Sequence, residues 1–252
     1  MGVKKSVYFM PDVGKDYSYR DQSSMIPSAE WLVGFDDFDQ SWIPTTAITN
    51  GAVANTPAPW QAAIIDTGAT LAVDTTAGHG TGVLIFDSDG ATEGVAVYGQ
   101  KTLQLTSGKR FWMEMRFKTE VADDSDVQFG LTAVTASSNP EDLWTTTAAS
   151  LVAFGVLDGS ATVNMLADKA DTGSTAETGT RALTSATWHT LAIYFDGTKL
   201  FGFVDGKEAL SWAQAAATIP TGVALAPFFG FRNGSAATTE GHIDYIRWAL
   251  ER

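Results

Sequence analysis

WHTLAIYFDGTKLFGFVDG, residues 188 to 206, carries two Asp-Gly pairs nine residues apart, each closing an apolar or aromatic run. Leu191, Ile193 and Phe195 fall on one face of the first run, and Trp188, Thr190, Ala192 and Tyr194 on the other. Asp196-Gly197 then turns the chain, and KLFGFV returns. Asp-Gly tolerates positive φ and so suits the tight turns that join antiparallel strands. The stretch predicts a β-hairpin.

The same alternation recurs along the chain. RFWMEMRFK puts Phe111, Met113, Met115 and Phe117 on one face and Arg110, Trp112, Glu114, Arg116 and Lys118 on the other. VQFGLTAV repeats it with Val127, Phe129, Leu131 and Ala133. GVLIF, GVAVYG, KTLQL, LVAFGVL, ATVNML, PFFGFR and HIDYIRW read as further strands. The turn pairs Asn50-Gly51, Asp89-Gly90, Asp158-Gly159 and Asn233-Gly234 punctuate them. NPEDLW reads as one helical turn in a loop, and EALSWAQAAAT as a short helix or an irregular strand. The tract from Asp168 to Thr187 reads as a long surface loop. Many short strands with regular turns predict an all-β, two-sheet antiparallel sandwich over residues 31–252. Residues 1–30 lack any sustained period and read as an extended N-terminal arm. Its Tyr8, Phe9, Tyr17 and Tyr19 are more aromatic than a disordered tail carries, which points to assembly against a partner surface.

Composition narrows the function. The chain has 252 residues, 44% hydrophobic, enough for one sizeable β domain. A formal net charge of -13 repels nucleic acid, and no basic patch offsets it. There is no cysteine, so disulfides and thiolate metal sites are excluded. The opening MGVKKSVYFMPDVGKD lacks the apolar run of a secretory signal, and no segment approaches the roughly 18 apolar residues of a membrane helix. MGVKKS fits the myristoylation pattern, a short one that chance often produces.

The order W-H-x-L-x-I-x-F-D-G followed by V-D-G resembles the concanavalin A-like lectin and glucanase superfamily, in particular its laminin-G and pentraxin-like members. FDDF at 35–38 and HIDYIRW at 242–248 resemble the first and last strands of that jelly roll, which lie side by side. The resemblance covers residues 31–252. It implies a jelly-roll fold and leaves the function open, because the fold hosts enzymes, lectins and structural modules.

Glucanases of this fold carry a Glu-x-Asp-x-x-Glu strand. The nearest stretch here is WMEMRFKTE, with Glu114 and Glu120 six residues apart and no Asp between. At strand rise the pair spans about 20 Å, against the ~5 Å of a retaining pair. Glu114 is better read as the partner of Arg116 or of an arginine on a neighbouring strand. No G-x-S-x-G turn is present, and His79, His189 and His242 lack metal-ligand spacing. His189 reads as a hydrogen-bonded structural residue. The resemblance implies a structural Ca²⁺ near the paired terminal strands, where Asp36, Asp37 and Asp244 are the matching positions; the competing reading makes Asp36 and Asp37 solvated turn residues. Trp112, on the polar face of its strand, and Trp144, in a loop, are the candidates to stack on a sugar.

These observations predict a non-enzymatic structural protein: a capsid decoration or cement protein of a tailed bacteriophage. It would be made in the host cytoplasm and placed on the capsid exterior. Its partners would be the major capsid protein and copies of itself, as a trimer. The Ala, Thr and Gly-rich composition resembles the lectin-like modules of phage virions. The alternative is a carbohydrate-binding module, for host attachment or for extracellular glycan. Neither reading requires a cofactor beyond the Ca²⁺, a nucleic acid or a membrane.

Overall fold

The computed structural model describes residues 60–65, 68–73, 83–88, 93–134, 150–169, 175–212, 218–234 and 239–252, together with 7–8, 20–21, 31–36, 38, 48–49 and 90. Two large antiparallel sheets stack on each other. The seven-stranded sheet has the order β13 (Thr175–Ala182), β12 (Ser160–Asp168), β11 (Leu151–Leu157), β10 (Ser125–Thr132), β17 (Ala226–Asn233), β8 (Gly94–Tyr98), β5 (Gln61–Ile65). The nine-stranded sheet has the order β16 (Lys207–Trp212), β15 (Leu200–Val204), β14 (His189–Phe195), β9 (Phe111–Thr119), β18 (Thr239–Glu251), β7 (Leu84–Ser88), β6 (Thr70–Val73), β4 (Ile48–Thr49). Its ninth member, β3 (Trp31–Asp36), pairs with the second half of β18, from Ile246↔Asp36 to Glu251↔Trp31. The first and last strands of the sandwich therefore do lie side by side. A separate ladder joins β1 (Val7–Tyr8) to β2 (Arg20–Asp21) and belongs to neither large sheet.

The predicted hairpin is β14–β15, in register from Leu191↔Val204 to Phe195↔Leu200. Its turn is held by Asp196, whose Oδ1 accepts from the Thr198 and Lys199 N–H groups, each at 2.7 Å. The second Asp-Gly pair links β15 to β16. Asp205 and Gly206 have φ of 50° and 71°, the double positive φ of a two-residue turn whose twist matches its strands.

The core lies between the sheets. Phe111, Met113, Met115 and Phe117 of β9 and Leu191, Ile193 and Phe195 of β14 meet Val127, Phe129 and Leu131 of β10 and Phe229 and Phe231 of β17. Phe229 is the hub, with ring centroids 5.5 Å from Trp60, 5.6 Å from Phe38 and 5.9 Å from Phe86. Each such ring stabilises the fold by about 1.5–3 kcal/mol through burial alone.

Two readings change. The tract from Asp168 to Thr187 is not all loop: Thr175–Ala182 forms the edge strand β13, paired to β12 through Asn164↔Thr178. β-Branched Thr suits a strand, and a solvent-facing edge needs no apolar alternation to announce it. KTLQL is not a strand; Leu103 and Leu105 are buried but make only isolated bridges to Leu225 and Thr221. Of the two readings of EALSWAQAAAT, the irregular strand holds for Glu208 to Trp212, which belong to β16 and pair with β15 through a register shift. NPEDLW lies outside the described residues. Among the described residues there is no helix, and so none long and apolar enough to cross a membrane.

Candidate functional site

Charged and aromatic side chains gather on the outward face of the nine-stranded sheet, where β9, β14 and β18 run together. β9 supplies Trp112, Glu114, Arg116 and Lys118, the even positions of its alternation. β18 supplies its share through an irregularity. Its register against β9 shifts between Ile243 and Tyr245, from Ile243↔Phe117 to Tyr245↔Arg116. Asp244 is the extra residue of this bulge. Two residues of a strand normally face opposite ways, yet Asp244 and Tyr245 both reach partners on the outward face, while Ile243 and Ile246 sit in the core.

Glu114 is the centre of this arrangement. Its Oε1 accepts from Arg247 Nη2 at 2.5 Å and from the Tyr245 hydroxyl at 2.6 Å. The Arg247 guanidinium also lies over two rings, 5.2 Å from the centroid of Trp112 and 5.1 Å from that of Tyr245. Burial pushes the Glu114 carboxyl above its ordinary value, against the opposing pull of Arg247 and the Tyr245 hydrogen bond. Burial, and then the Glu114 carboxylate, push the Tyr245 phenol upward as well. Glu114 is thus held in place by a cross-strand arginine, the kind of partner expected for it. An acid–base pair for a glycosidic bond needs a second carboxyl facing it across a substrate.

One end of this face is open. Arg116 pairs with Asp244, and its guanidinium stands 4.6 Å above the ring of half-buried Trp188. Trp188 meets the imidazole of His242 edge-on at 6.4 Å. Beside them Glu120, Glu240 and His242 bring one ligand atom each within 4.8 Å of one another.

His189 lies apart from this group. Its Nε2 accepts from the Thr184 N–H at 2.9 Å, which leaves Nδ1 to donate to Asp205 Oδ2 at 2.8 Å. Both ring nitrogens tie the chain before β14 to the β15–β16 turn, a structural role as expected. The outward face of the seven-stranded sheet is different in kind. The register aligns Asn164, Gly155, Gln128, Gly230, Ala96 and Ala63 in a row across it. Gln128 Oε1 is buried there without a hydrogen-bond partner among the described residues. At the sheet's end Asp126 binds Arg232 and the Asp158 N–H, and its carboxyl is nevertheless held above its ordinary value by burial.

Of the sugar-stacking candidates, Trp112 is on the outward face but is no open platform. It is 3% exposed, among Ala192, Tyr194, Phe201 and Phe203 and under Arg247. Alternation gives the side a residue faces, not whether that side is covered. Trp144 lies outside the described residues. For the calcium candidates, the Asp36 backbone pairs with Ile246, Asp37 lies outside the described residues, and Asp244 is bound by Arg116. Of the arm, Tyr8 is described as backbone in β1 only, and Phe9, Tyr17 and Tyr19 lie outside the described residues. The sequence reading missed Trp188, Tyr245 and Arg247 as members of one site. A signal was there: Ile243 and Ile246 are three apart, while Ile246, Trp248 and Leu250 are two apart, a phase break that marks a bulge.

No family model matches the chain, and no curated protein matches it in sequence. Solved structures do match in fold. The laminarinase catalytic domain from Thermotoga maritima aligns with TM-score 0.53 and 13% identity, over 87% of this chain and 98% of that one. The carbohydrate recognition domain of Emp47p aligns with TM-score 0.50 and 11% identity, over 88% of this chain and 97% of that one. A sialidase aligns with TM-score 0.50 and 12% identity over 86% of this chain, which spans only 18% of the sialidase's length. The chain has the concanavalin A-like lectin and glucanase jelly-roll fold.

Proposed function

We propose that the chain is a non-enzymatic, lectin-like recognition module that binds glycan at Trp188, Arg116 and Asp244. The observation that carries this reading is the half-exposed Trp188 beside an ion pair at the open end of the outward face. Arg116 covers one face of the Trp188 indole, but unlike buried Trp112 the ring stays half-exposed, and that remaining apolar surface suits the C–H face of a sugar while Arg116 and Asp244 offer a donor and an acceptor to its hydroxyls. Carbohydrate-recognition and glycosidase domains both share this fold, so the fold itself does not choose between binding and turnover. The engagement of Glu114 by Arg247 and Tyr245 favours binding.

The test is a glycan array followed by titration of each hit into wild type and Trp188→Ala, with intrinsic fluorescence as the readout. A hit that weakens at least tenfold in the variant supports the site. Equal affinity in the variant, or an array without hits, overturns it. Hydrolysis of a β-glucan panel that is lost in Glu114→Gln would overturn the non-enzymatic part.

A second reading concerns the setting: a decoration or cement protein on the capsid exterior of a tailed phage, contacting the major capsid protein and copies of itself. The observation offered for it is that the β1–β2 ladder pairs with neither large sheet. Full-length chain should bind undecorated particles, and a chain lacking residues 1–30 should bind them more weakly. Equal binding, or absence of the protein from purified virions by mass spectrometry, would remove this reading.

A further inference from the structure

Glu120, Glu240 and His242 point to a second kind of ligand. Glu120 follows the end of β9, and its N–H donates to the Glu240 carbonyl at 3.0 Å. That bond continues the pairing Gly241↔Thr119 by one step and sets the two glutamates directly opposite each other. Like charges in that relation repel, a cost that neighbouring strands ordinarily avoid. His242 stands two residues from Glu240 on the same outward face, its Nε2 3.4 Å from Glu240 Oε2. The imidazole is 3% exposed and backed by Trp188, so its plane is set by packing, while the two carboxylate side chains are 42% and 43% exposed and can move.

We propose that these three residues bind one divalent transition-metal ion of the Zn²⁺ class. One imidazole nitrogen and two carboxylate oxygens are donors that suit such an ion, whereas Ca²⁺ takes oxygen alone. The three ligand atoms lie within 4.8 Å of one another, and tetrahedral donors around zinc sit ~3.3 Å apart. Small rotations of the two exposed glutamates close that gap around the fixed imidazole. Three protein ligands leave a fourth position to solvent. Lys118, opposite His242 on β9, holds Glu120 at 3.4 Å and supplies a local positive charge when no ion is bound. It competes with the metal, and Arg116 beside it is already engaged by Asp244.

The assignment does not rest on glycan binding, although Trp188 touches both sites, so its test uses the metal alone. Zinc chloride is titrated into the full chain by calorimetry, with Glu120→Gln, Glu240→Gln and Lys118→Met as variants. The glutamates are exposed enough that neither substitution threatens the fold. Binding should saturate at one ion per chain, weaken at least tenfold in each glutamine variant and tighten in Lys118→Met. The His242 ring resonances should shift on saturation. No saturable binding at millimolar zinc, unchanged affinity in both glutamine variants, or a Ca²⁺ affinity equal to that of Zn²⁺ would each overturn the assignment.

Discussion

Arg247 and Glu114 form a 2.5 Å ion pair in which both side chains are under a tenth exposed, although 133 residues separate them. Removing one partner strands a buried charge, and replacing both removes the problem. Glu114→Ala should therefore destabilise by about 3–5 kcal/mol in urea unfolding, while Glu114→Leu with Arg247→Met should lie near wild type. A double variant as unstable as the single one would show that the charges are needed for more than each other.

The His189 bridge yields a second expectation. His189→Leu removes the partner of the Thr184 N–H and of Asp205 and should cost about 1–3 kcal/mol. Asp205→Asn should cost less, because Asn keeps an acceptor for the Thr190 N–H and tolerates the positive φ at this position. Thermal melting of the two variants checks the order.

Two glycines should respond for different reasons. At Gly155 an added Cβ would lie 1.7 Å from the Val127 carbonyl oxygen on β10, a backbone clash that no side-chain motion relieves. Gly155→Ala should cost more than about 3 kcal/mol, beyond the usual range of overpacking. Gly159 turns β11 into β12 with φ of 85° and open space around it, so Gly159→Ala should cost only about 1–2 kcal/mol of backbone strain. Chemical denaturation of both variants separates clash from strain.

Asp196 gives a pH dependence. Burial is the largest single influence and opposes its ionisation, but the Lys199 and Thr198 hydrogen bonds and the Lys199 charge together outweigh it and hold the carboxyl below its ordinary value. For a carboxyl lowered on folding, the stabilisation is present above the unfolded value and is lost as pH falls through the folded one. Wild type should thus exceed Asp196→Ala by roughly 1 kcal/mol near neutral pH, and the gap should shrink once pH falls below about 4. A gap that stays constant down to pH 2 would contradict this.

Much of the sandwich follows from local pattern. Period-2 alternation determined which side chains of β9, β10 and β14 enter the core, because successive side chains of a strand must face opposite ways. Asp-Gly placed the turns after β11, β14 and β15, because those positions need φ values that few residues tolerate. What the sequence left open is what lies beside and above each strand. β13 was hidden because a polar edge strand differs little in composition from a loop. Glu114 could be assigned a cross-strand arginine in kind, but Arg247 was chosen by the β18 register and by the bulge at Asp244. Trp112 could be placed on the outward side, but only the tertiary structure decided that this side is covered. Trp188, Arg116, Glu120 and His242 became neighbours for the same reason: hydrogen-bonded register brings distant strands together, and a one-residue shift would have dispersed them.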